Sequence, residues 1–355
     1  MLVGGLLIPI FGLIVIGDGS LFNGLNILVT ENPDKFNSIG GKTDPVPFYT
    51  IFTGMMLVQL FYWGTNQQII QRALGAKDLK EGQKGLLLAS FIKILGPLIV
   101  VLPGLIAYHI FEGNLETSDS AYPMLVKKVL PPEWVGFFAA VLFGAILSSF
   151  NSVLNSSVTL FGIDVYKQHI NKEANEKTVV KYGKIFGVIL AIAAMFIAPL
   201  IANAGSLFDY LQEINGIYSI PILTIIVVGF TTKKVPAIAA KIGLLSGCLL
   251  YIISQFLLQP YFVNLAIDNA KLEGITEASE LALIKSLAYP HFLDVMAILF
   301  VLNIFIMLII GKLRPREIPY KQAYTKQVDI SPWKYVHIAG VFISLIVILI
   351  YIYFA

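Results

Sequence analysis

The sequence predicts an all-α, polytopic membrane protein with about nine spans, on the basis of three observations. Hydrophobic residues make up 57% of the 355 residues and charged residues 13%, whereas soluble domains carry about 25% charged residues. The apolar residues fall into nine runs, each near the roughly 20 residues that a helix needs to cross the hydrocarbon core. Basic residues are concentrated in every second loop. The net charge of +3 therefore reflects membrane topology and gives no indication of nucleic-acid binding.

The predicted spans follow the apolar runs in order. They cover residues 1–17, 47–70, 85–108, 134–160, 185–203, 207–230, 236–259, 290–311 and 335–355. The first run is short and no basic residue precedes it, which does not match a secretory signal. It is predicted to be either a poor first helix or the latter part of a longer one.

The distribution of lysine and arginine predicts the orientation, because cytoplasmic loops are enriched in both. The loops 71–84, 161–184, 231–241 and 312–334 hold 18 of the 25 basic residues. The opposite loops hold six, and Lys93 is the only basic residue assigned to a membrane interior. We therefore predict that these four loops are cytoplasmic in a multi-pass protein of the plasma (inner) membrane.

The span 47–70 places Gln59, Tyr62 and Asn66 at i, i+3 and i+7, on one helical face. Trp63 follows directly, and an aromatic belt at the membrane interface explains Trp and Tyr near a helix end. Tyr62 has a second interpretation, because sugars stack their C–H faces on aromatic rings while their hydroxyls need partners such as an amide.

The span 85–108, GLLLASFIKILGPLIVVLPGLIAY, contains Lys93 well inside its apolar sequence. A lysine at the bilayer centre costs roughly 2.5–3.5 kcal/mol on insertion scales. It lies nine residues after Lys84 and fifteen before Tyr108, too deep for its ammonium to reach the headgroups easily. Two interpretations remain open: a lysine paired inside the helical bundle, and a polar group at a midplane solute site.

The span 134–160 carries hydroxyl groups at helical spacing. Ser148, Ser152, Ser156 and Thr159 follow an i, i+4, i+8, i+11 stripe, and small polar residues of this kind are common where membrane helices pack closely. The adjacent pair Ser148 and Ser149 could instead offer hard oxygen ligands to a small cation, completed by carbonyls of another helix.

The span 207–230 places Phe208, Leu211, Gln212, Asn215 and Ser219 on one broad face. An amide suits a neutral polyhydroxylated ligand, because it offers both donors and an acceptor without a charge. Pro221 lacks an amide hydrogen and is expected to free a carbonyl near the middle of this span. Asp209 is interpreted as lying at the membrane interface.

The sequence offers no support for an enzyme. The four histidines are scattered at loops or span ends, and no HExxH or GxSxG motif occurs. Cys248 is the only cysteine, so neither a disulfide framework nor a thiolate metal site is expected.

Four segments in a fixed order resemble the sodium/solute symporter family, and specifically its sodium/glucose and sodium/galactose cotransporter branch. They are FYWGTNQQIIQRALGAK, SFIKILGPLIVVLPG, AAVLFGAILSSFNSVLNSSVTLFGIDVYK and LFDYLQE. The resemblance runs from about residue 1 to 230, and more loosely to the C-terminus. It implies sodium-coupled symport of a monosaccharide across the membrane.

The resemblance assigns roles at the solute site by position. Lys93 and Gln212 match a lysine and a glutamine that hydrogen-bond the sugar. Tyr62 matches an aromatic inner gate, and Phe208 matches an outer-gate aromatic residue. Gln59 stands where the bacterial galactose transporter has an asparagine, so this contact departs from the family pattern.

The resemblance also implies a sodium site and an organisation. Ala145, through its carbonyl, and Ser148 and Ser149, through their hydroxyls, match half of that site. Residues 1–17 match the last part of the first repeat of a five-plus-five inverted-repeat core, 47–230 match the second repeat, and 236–355 match three peripheral helices. Four core helices and one further helix, needed for complete sites, are expected to precede them.

Other functions fit the same residues. Glucose, galactose and myo-inositol all suit a lysine with two glutamines, and amino-acid or vitamin carriers of the family share the serine pair. A non-transporting fragment and a solute sensor are the remaining alternatives. The partners expected are a small-molecule sugar, the sodium ion and membrane lipid.

Overall fold

The computed structural model describes residues 2–41, 44, 46–115, 117–201, 207–321 and 328–355, and within these ranges every regular element is a helix. The α-helices of the first half are α1 Leu2–Ile16, α2 Leu21–Glu31, α3 Gly54–Gly64, α4 Gln67–Leu74, α5 Leu79–Lys93, α6 Gly96–Ile110, α7 Ala121–Val129 and α8 Pro132–Leu160. The others are α9 Glu176–Ile201, α10 Leu207–Thr231, α11 Ala237–Ile252, α12 Gln259–Leu272, α13 Ala278–Leu287, α14 Phe292–Leu313 and α15 Val336–Tyr353. The all-α prediction is confirmed.

Seven helical segments of the described chain are long and apolar enough to cross a membrane. They are Leu79–Ile110, Pro132–Ile170, Glu176–Ile201, Tyr210–Thr231, Ala237–Leu272, Ser279–Leu313 and Val336–Tyr353. Each corresponds to one predicted span, and the protein is therefore an integral, multi-pass membrane protein. Helices α1 and α2 together would add an eighth span, although they are bent by 79°.

The predicted first span, 1–17, corresponds to α1 and ends at a sharp turn. Asp18 and Gly19 both adopt positive φ angles, of 48° and 99°, a region that favours glycine. Ser20 then caps α2, because its side chain accepts a hydrogen bond from the amide of Asn23 at 3.3 Å. The apolar sequence therefore continues past the turn in a new direction.

The predicted span 47–70 does not form one continuous helix, and this prediction is wrong in that respect. Helix α3 ends at Gly64, and α4 begins at Gln67. Between them, the Thr65 hydroxyl donates to the Phe61 carbonyl at 2.9 Å, and the Asn66 side chain accepts from the Gln68 amide at 3.0 Å. Such side-chain hydrogen bonds compete with those of the helix backbone.

The chain divides into two compact units. The first comprises Met1–Ser38, Gln71–Leu207 and Val328–Ala355, and the second comprises Ile39–Ile70 and Phe208–Gln327. In the first unit, α1, α6 and α7 share an apolar core in which Ile8, Ile106 and Leu125 are fully buried.

The first unit contains a second packed region formed by α8, its π-helical extension Phe161–Ile170 and α9. Phe161 stacks on Phe186 with ring centroids 4.2 Å apart. A Cβ atom at Gly187 would lie 2.8 Å from the side chain of Val158, so the glycine allows α8 and α9 to approach closely. This packing holds α8, which carries the serine pair, against a neighbouring helix.

In the second unit, α3, α10, α11 and α14 surround a core that includes Leu293 and Met296, both fully buried. A Cβ atom at Gly216 of α10 would lie 2.3 Å from both Met296 Cε and Tyr251 Cζ. The absence of a side chain at Gly216 therefore allows Tyr251 to pack directly on the backbone of α10. Asn303 of α14 donates to the carbonyl of Gly243 on α11 at 2.8 Å.

Three buried side-chain atoms of the described residues have no hydrogen-bond partner: Ser219 Oγ, Tyr251 Oη and Gln255 Nε2. All three belong to the second unit. A buried polar group without a partner is unfavourable by about 1–3 kcal/mol. Tyr251 is 1% exposed. Burial of its ring therefore stabilises the protein, whereas burial of its hydroxyl without a partner destabilises it.

We expect the Tyr251→Phe substitution to stabilise the protein by about 1 kcal/mol, because it removes a buried hydroxyl without a partner and keeps the ring. Asn303→Leu is the matched control in the same unit, and it should destabilise, because it removes a satisfied donor. Thermal unfolding in detergent measures both. A lower melting temperature for Tyr251→Phe would contradict the expectation.

Candidate functional site

The site residues predicted from the sequence are divided between the two units. The first unit contains Lys93, Ala145, Ser148 and Ser149, and the second contains Gln59, Tyr62, Phe208 and Gln212. Each group lies on helices whose local structure determines which chemistry the side chains can offer.

Lys93 lies where its membrane span is interrupted. Helix α5 ends at Lys93, and α6 begins at Gly96, within the candidate span Leu79–Ile110. Pro97 has no amide hydrogen to give to the Lys93 carbonyl four residues earlier. The amide of Leu95 donates to the Ile92 carbonyl at 3.0 Å, an i to i−3 bond in place of the i to i−4 bond of an α-helix.

The interruption is limited to Ile94 and Leu95, and Leu79–Ile110 remains one candidate membrane span, as the sequence predicts. The interruption places the Lys93 side chain, which is exposed in the described structure, beside backbone groups that are not in regular α-helical bonding. Discontinuous membrane helices form solute and ion sites in transporters; the break here is short, because Ile94 and Leu95 keep right-handed helical φ and ψ angles. The site can therefore offer an ammonium with three donors together with polar backbone.

Ala145, Ser148 and Ser149 lie on α8 and are related by three and four residues, so they occupy neighbouring positions on the helix surface. Both serines are exposed in the described structure. A Cβ atom at the adjacent Gly144 would meet no atom within 4 Å. This surface of α8 is therefore open in the described structure.

Ser148 lines a cavity of about 740 Å³ within the first unit, and this cavity is open at the surface. Its lining is rich in polar groups and consists of Gln71, Arg72, Gly144, Leu147, Ser148, Asn151, Ser152 and Asn155. Hydroxyl, amide and carbonyl oxygens are hard ligands that suit sodium in transporters. No cluster of three or more His, Cys, Asp or Glu side chains suited to a metal ion occurs in the described part of the chain.

The serine stripe of α8 has two roles along its length. Ser152 and Ser156 are buried, at 9% and 6% exposure, as expected for close helix packing. Ser152 Oγ donates to the Ser148 carbonyl at 2.8 Å, and Thr159 Oγ1 donates to the Asn155 carbonyl at 2.7 Å. The close-packing interpretation therefore holds for Ser152 and Ser156, whereas Ser148 faces the cavity.

Helix α3 has one side packed into the second unit and another side that is exposed. Phe61 packs into the second unit with its ring 5.9 Å from that of Tyr218. On the exposed surface, Trp63 Nε1 donates to Gln59 Oε1 at 3.0 Å, and the rings of Tyr62 and Trp63 meet edge to face at 5.2 Å. Gln59 and Tyr62 are thus held in one aromatic and amide cluster by Trp63.

The predicted broad polar face of α10 divides in the structure. Gln212 is half-buried, whereas Ser219 is fully buried, and the Tyr218 hydroxyl donates to Asn215 Oδ1. The side chain of Phe208 lies outside the described residues. Gln212 thus keeps part of its amide accessible, while Ser219 points into the packed interior.

Sequence reasoning missed the contacts that Arg72 and Gln71 make with α8. Arg72 Nη2 donates to Ser152 Oγ, and Gln71 Nε2 donates to the Ser152 carbonyl at 3.4 Å. From the sequence, Arg72 is identified only as a basic residue of a predicted cytoplasmic loop. The two partners are 80 residues apart, and neither local periodicity nor spacing connects them.

Comparisons with known proteins agree with the resemblance. The family model described as the sodium:solute symporter family matches residues 1–247. The chain is 43% identical over 352 residues to the uncharacterized symporter YidK of Escherichia coli, covering 99% of this chain and 57% of that protein.

Two further relatives have named solutes. The sodium/glucose cotransporter of Vibrio parahaemolyticus is 35% identical over 65% of this chain and 46% of its own length. The human sodium/myo-inositol cotransporter 2 is 30% identical over 70% of this chain and 38% of its own length. The chain thus spans about half the length of the curated relatives that it matches.

Proposed function

The chain belongs to the sodium:solute symporter family, and on that premise we propose that it takes part in sodium-coupled symport of a monosaccharide of the glucose or galactose type. The solute and the ion cross the membrane together by alternating access. Relatives named as sodium/glucose and sodium/myo-inositol cotransporters support a polyhydroxylated solute.

The observation that carries the proposal is the position of Lys93 at a break inside a membrane span. An ammonium at this depth requires hydrated or polar surroundings, which a solute site would provide. Its three donors suit the hydroxyl oxygens of a sugar, and the charge strengthens each hydrogen bond. Gln212 and Gln59 would add amide donors and acceptors.

We assign the sodium ion to α8. The carbonyl of Ala145 has a second lone pair beyond its helical hydrogen bond, and the hydroxyls of Ser148 and Ser149 add two neutral oxygens. Neutral ligands leave the ion's charge uncompensated, so the membrane potential acts on it. That potential contributes about 2.3 kcal/mol per charge per 100 mV, which can drive accumulation of a neutral sugar.

Tyr62 and Phe208 are proposed as the inner and outer aromatic gates. Tyr62 packs edge to face against Trp63, so a small rotation of the Tyr62 ring would change which part of that ring is exposed to a bound solute.

We also propose an organisation into repeats. Residues 47–230 form a second five-helix repeat, residues 1–17 belong to the end of a first repeat, and residues 236–355 form three peripheral helices.

Replacement of Lys93 by Gln should raise the sugar concentration for half-maximal uptake by about tenfold or more, because a hydrogen bond from a charged donor contributes about 1.5–3 kcal/mol. Lys93→Arg should retain part of the affinity. The measurement is sodium-driven uptake of labelled galactose into vesicles by the protein expressed from its natural gene. Lys127→Gln, which removes an exposed lysine elsewhere, is the control, and unchanged uptake by Lys93→Gln would contradict the assignment.

Replacement of Ser149 by Ala should raise the sodium concentration for half-maximal uptake, because it removes one oxygen ligand. Sugar affinity at saturating sodium should change less. Ser157→Ala is the matched control on the same helix, since the Ser157 hydroxyl donates only to the Val153 carbonyl at 3.0 Å among its described contacts. Equal sodium dependence in the wild type and Ser149→Ala would exclude this ligand.

Myo-inositol is the second candidate solute, favoured by the relatives named sodium/myo-inositol cotransporter 2. Competition against labelled galactose distinguishes it. We expect unlabelled glucose and galactose to inhibit uptake most strongly, myo-inositol less, and an amino acid such as proline not at all. Strongest inhibition by myo-inositol would reassign the solute, and inhibition by the amino acid alone would remove the polyhydroxylated class.

A further inference from the structure

We propose that Arg72 is a positioning residue that promotes release of sodium from the α8 site. Its guanidinium is held at the wall of the cavity that Ser148 lines, where its charge opposes a bound cation. This inference rests on the proposed assignment of sodium to Ser148 and Ser149. The observation that carries it is the hydrogen-bond chain from Arg72 through Ser152 to Ser148.

The chain of hydrogen bonds lies entirely within the first unit. Arg72 Nη2 donates to Ser152 Oγ, and the same hydroxyl donates to the carbonyl of Ser148 at 2.8 Å. Gln71 Nε2 donates to the Ser152 carbonyl at 3.4 Å. Two consecutive side chains of α4 therefore bind one residue of α8, a single turn beyond the serine pair.

The Ser152 hydroxyl both donates and accepts a hydrogen bond in this arrangement. A hydroxyl has one donor and two acceptor lone pairs, and here the donor goes to Ser148 while Arg72 occupies an acceptor site. Ser152 is 9% exposed, whereas the Arg72 side chain is exposed. The hydrogen bond to Ser152 therefore fixes one end of a guanidinium that solvent still reaches.

The anchored charge faces the space in which the ion would bind. Arg72 and Ser148 both line the cavity of about 740 Å³. The guanidinium of arginine carries a positive charge. Like charges that border one cavity repel each other, and solvent at this exposed arginine weakens the repulsion without removing it.

The consequence is a lower affinity for sodium, which allows the ion to dissociate faster. A sodium ion that binds too tightly leaves slowly, and transport requires it to leave in every cycle. The guanidinium weakens binding, while its bond to Ser152 maintains it at the required distance. Loss of either the charge or the anchor should therefore strengthen sodium binding and slow release.

The test is equilibrium binding of 22Na⁺ to the purified wild-type, Arg72→Gln, Arg72→Lys and Ser152→Ala proteins, with sodium-driven galactose uptake measured in parallel. We expect Arg72→Gln and Ser152→Ala to bind sodium about threefold to tenfold more tightly than the wild type, because a nearby repulsive charge is removed or released. Their maximal uptake rates should fall, and sugar affinity at saturating sodium should stay the same. Arg72→Lys, which keeps the charge, should remain closer to the wild type.

A double-mutant comparison separates this role from a structural one. The Arg72→Gln/Ser152→Ala protein should bind sodium no more tightly than Arg72→Gln alone, because both changes affect one interaction. Lys77→Gln removes an exposed positive charge just after α4 and should leave sodium binding unchanged. Weaker sodium binding by Arg72→Gln, or additive effects of the two changes, would overturn the proposal.

The outcome also distinguishes this proposal from the proposed sugar transport. If the wild type binds sodium and Arg72→Gln binds it more tightly, but no sugar is taken up, the inference stands and the solute assignment fails. If sugar uptake is sodium-driven and sodium binding is the same in the wild type and Arg72→Gln, the solute assignment stands and the role of Arg72 is overturned. A wild type that binds no sodium overturns both.

Discussion

The requirement that polar groups inside a membrane find partners within the protein governs most features of this structure. Backbone amides and carbonyls in the hydrocarbon region cost several kcal/mol when left alone, which is why long apolar runs become helices. The same requirement means that each departure from regular helix marks a place where backbone polar groups need other partners. At Lys93, the regular α-helix is interrupted for two residues within one candidate span, and the ammonium-bearing side chain is carried at this short interruption.

Helix α8 shows how one helix distributes its hydroxyl groups between packing and binding. Ser152 and Ser156 are buried, and on the opposite helix Gly187 allows close approach. Ser148 lies one turn earlier and faces a polar cavity. Rigid packing of one surface of α8 against α9 keeps the other surface in place, and a binding site benefits from ligands carried on such a fixed element.

The second unit achieves close packing by a different means. Gly216 removes the side chain that would otherwise separate α10 from Tyr251, and Asn303 connects α14 to the backbone of α11. Gln212 is carried by α10, so these contacts determine how the proposed solute-binding amide is positioned. The hydroxyl of Tyr251 remains without a partner in the described structure, which indicates that ring packing outweighs the loss of one hydrogen bond.

The sequence alone determined the class of protein, seven of the spans and the family, because apolar length and ordered motifs are local properties of the chain. It also indicated Lys93 and the serine pair, since a charge or adjacent hydroxyls in an apolar run are visible without coordinates. Only the tertiary structure decided that the span 47–70 is broken at Thr65 and Asn66 and that Arg72 reaches Ser152. The first depends on competing side-chain hydrogen bonds and the second on a contact across 80 residues, and neither leaves a periodic signal in the sequence.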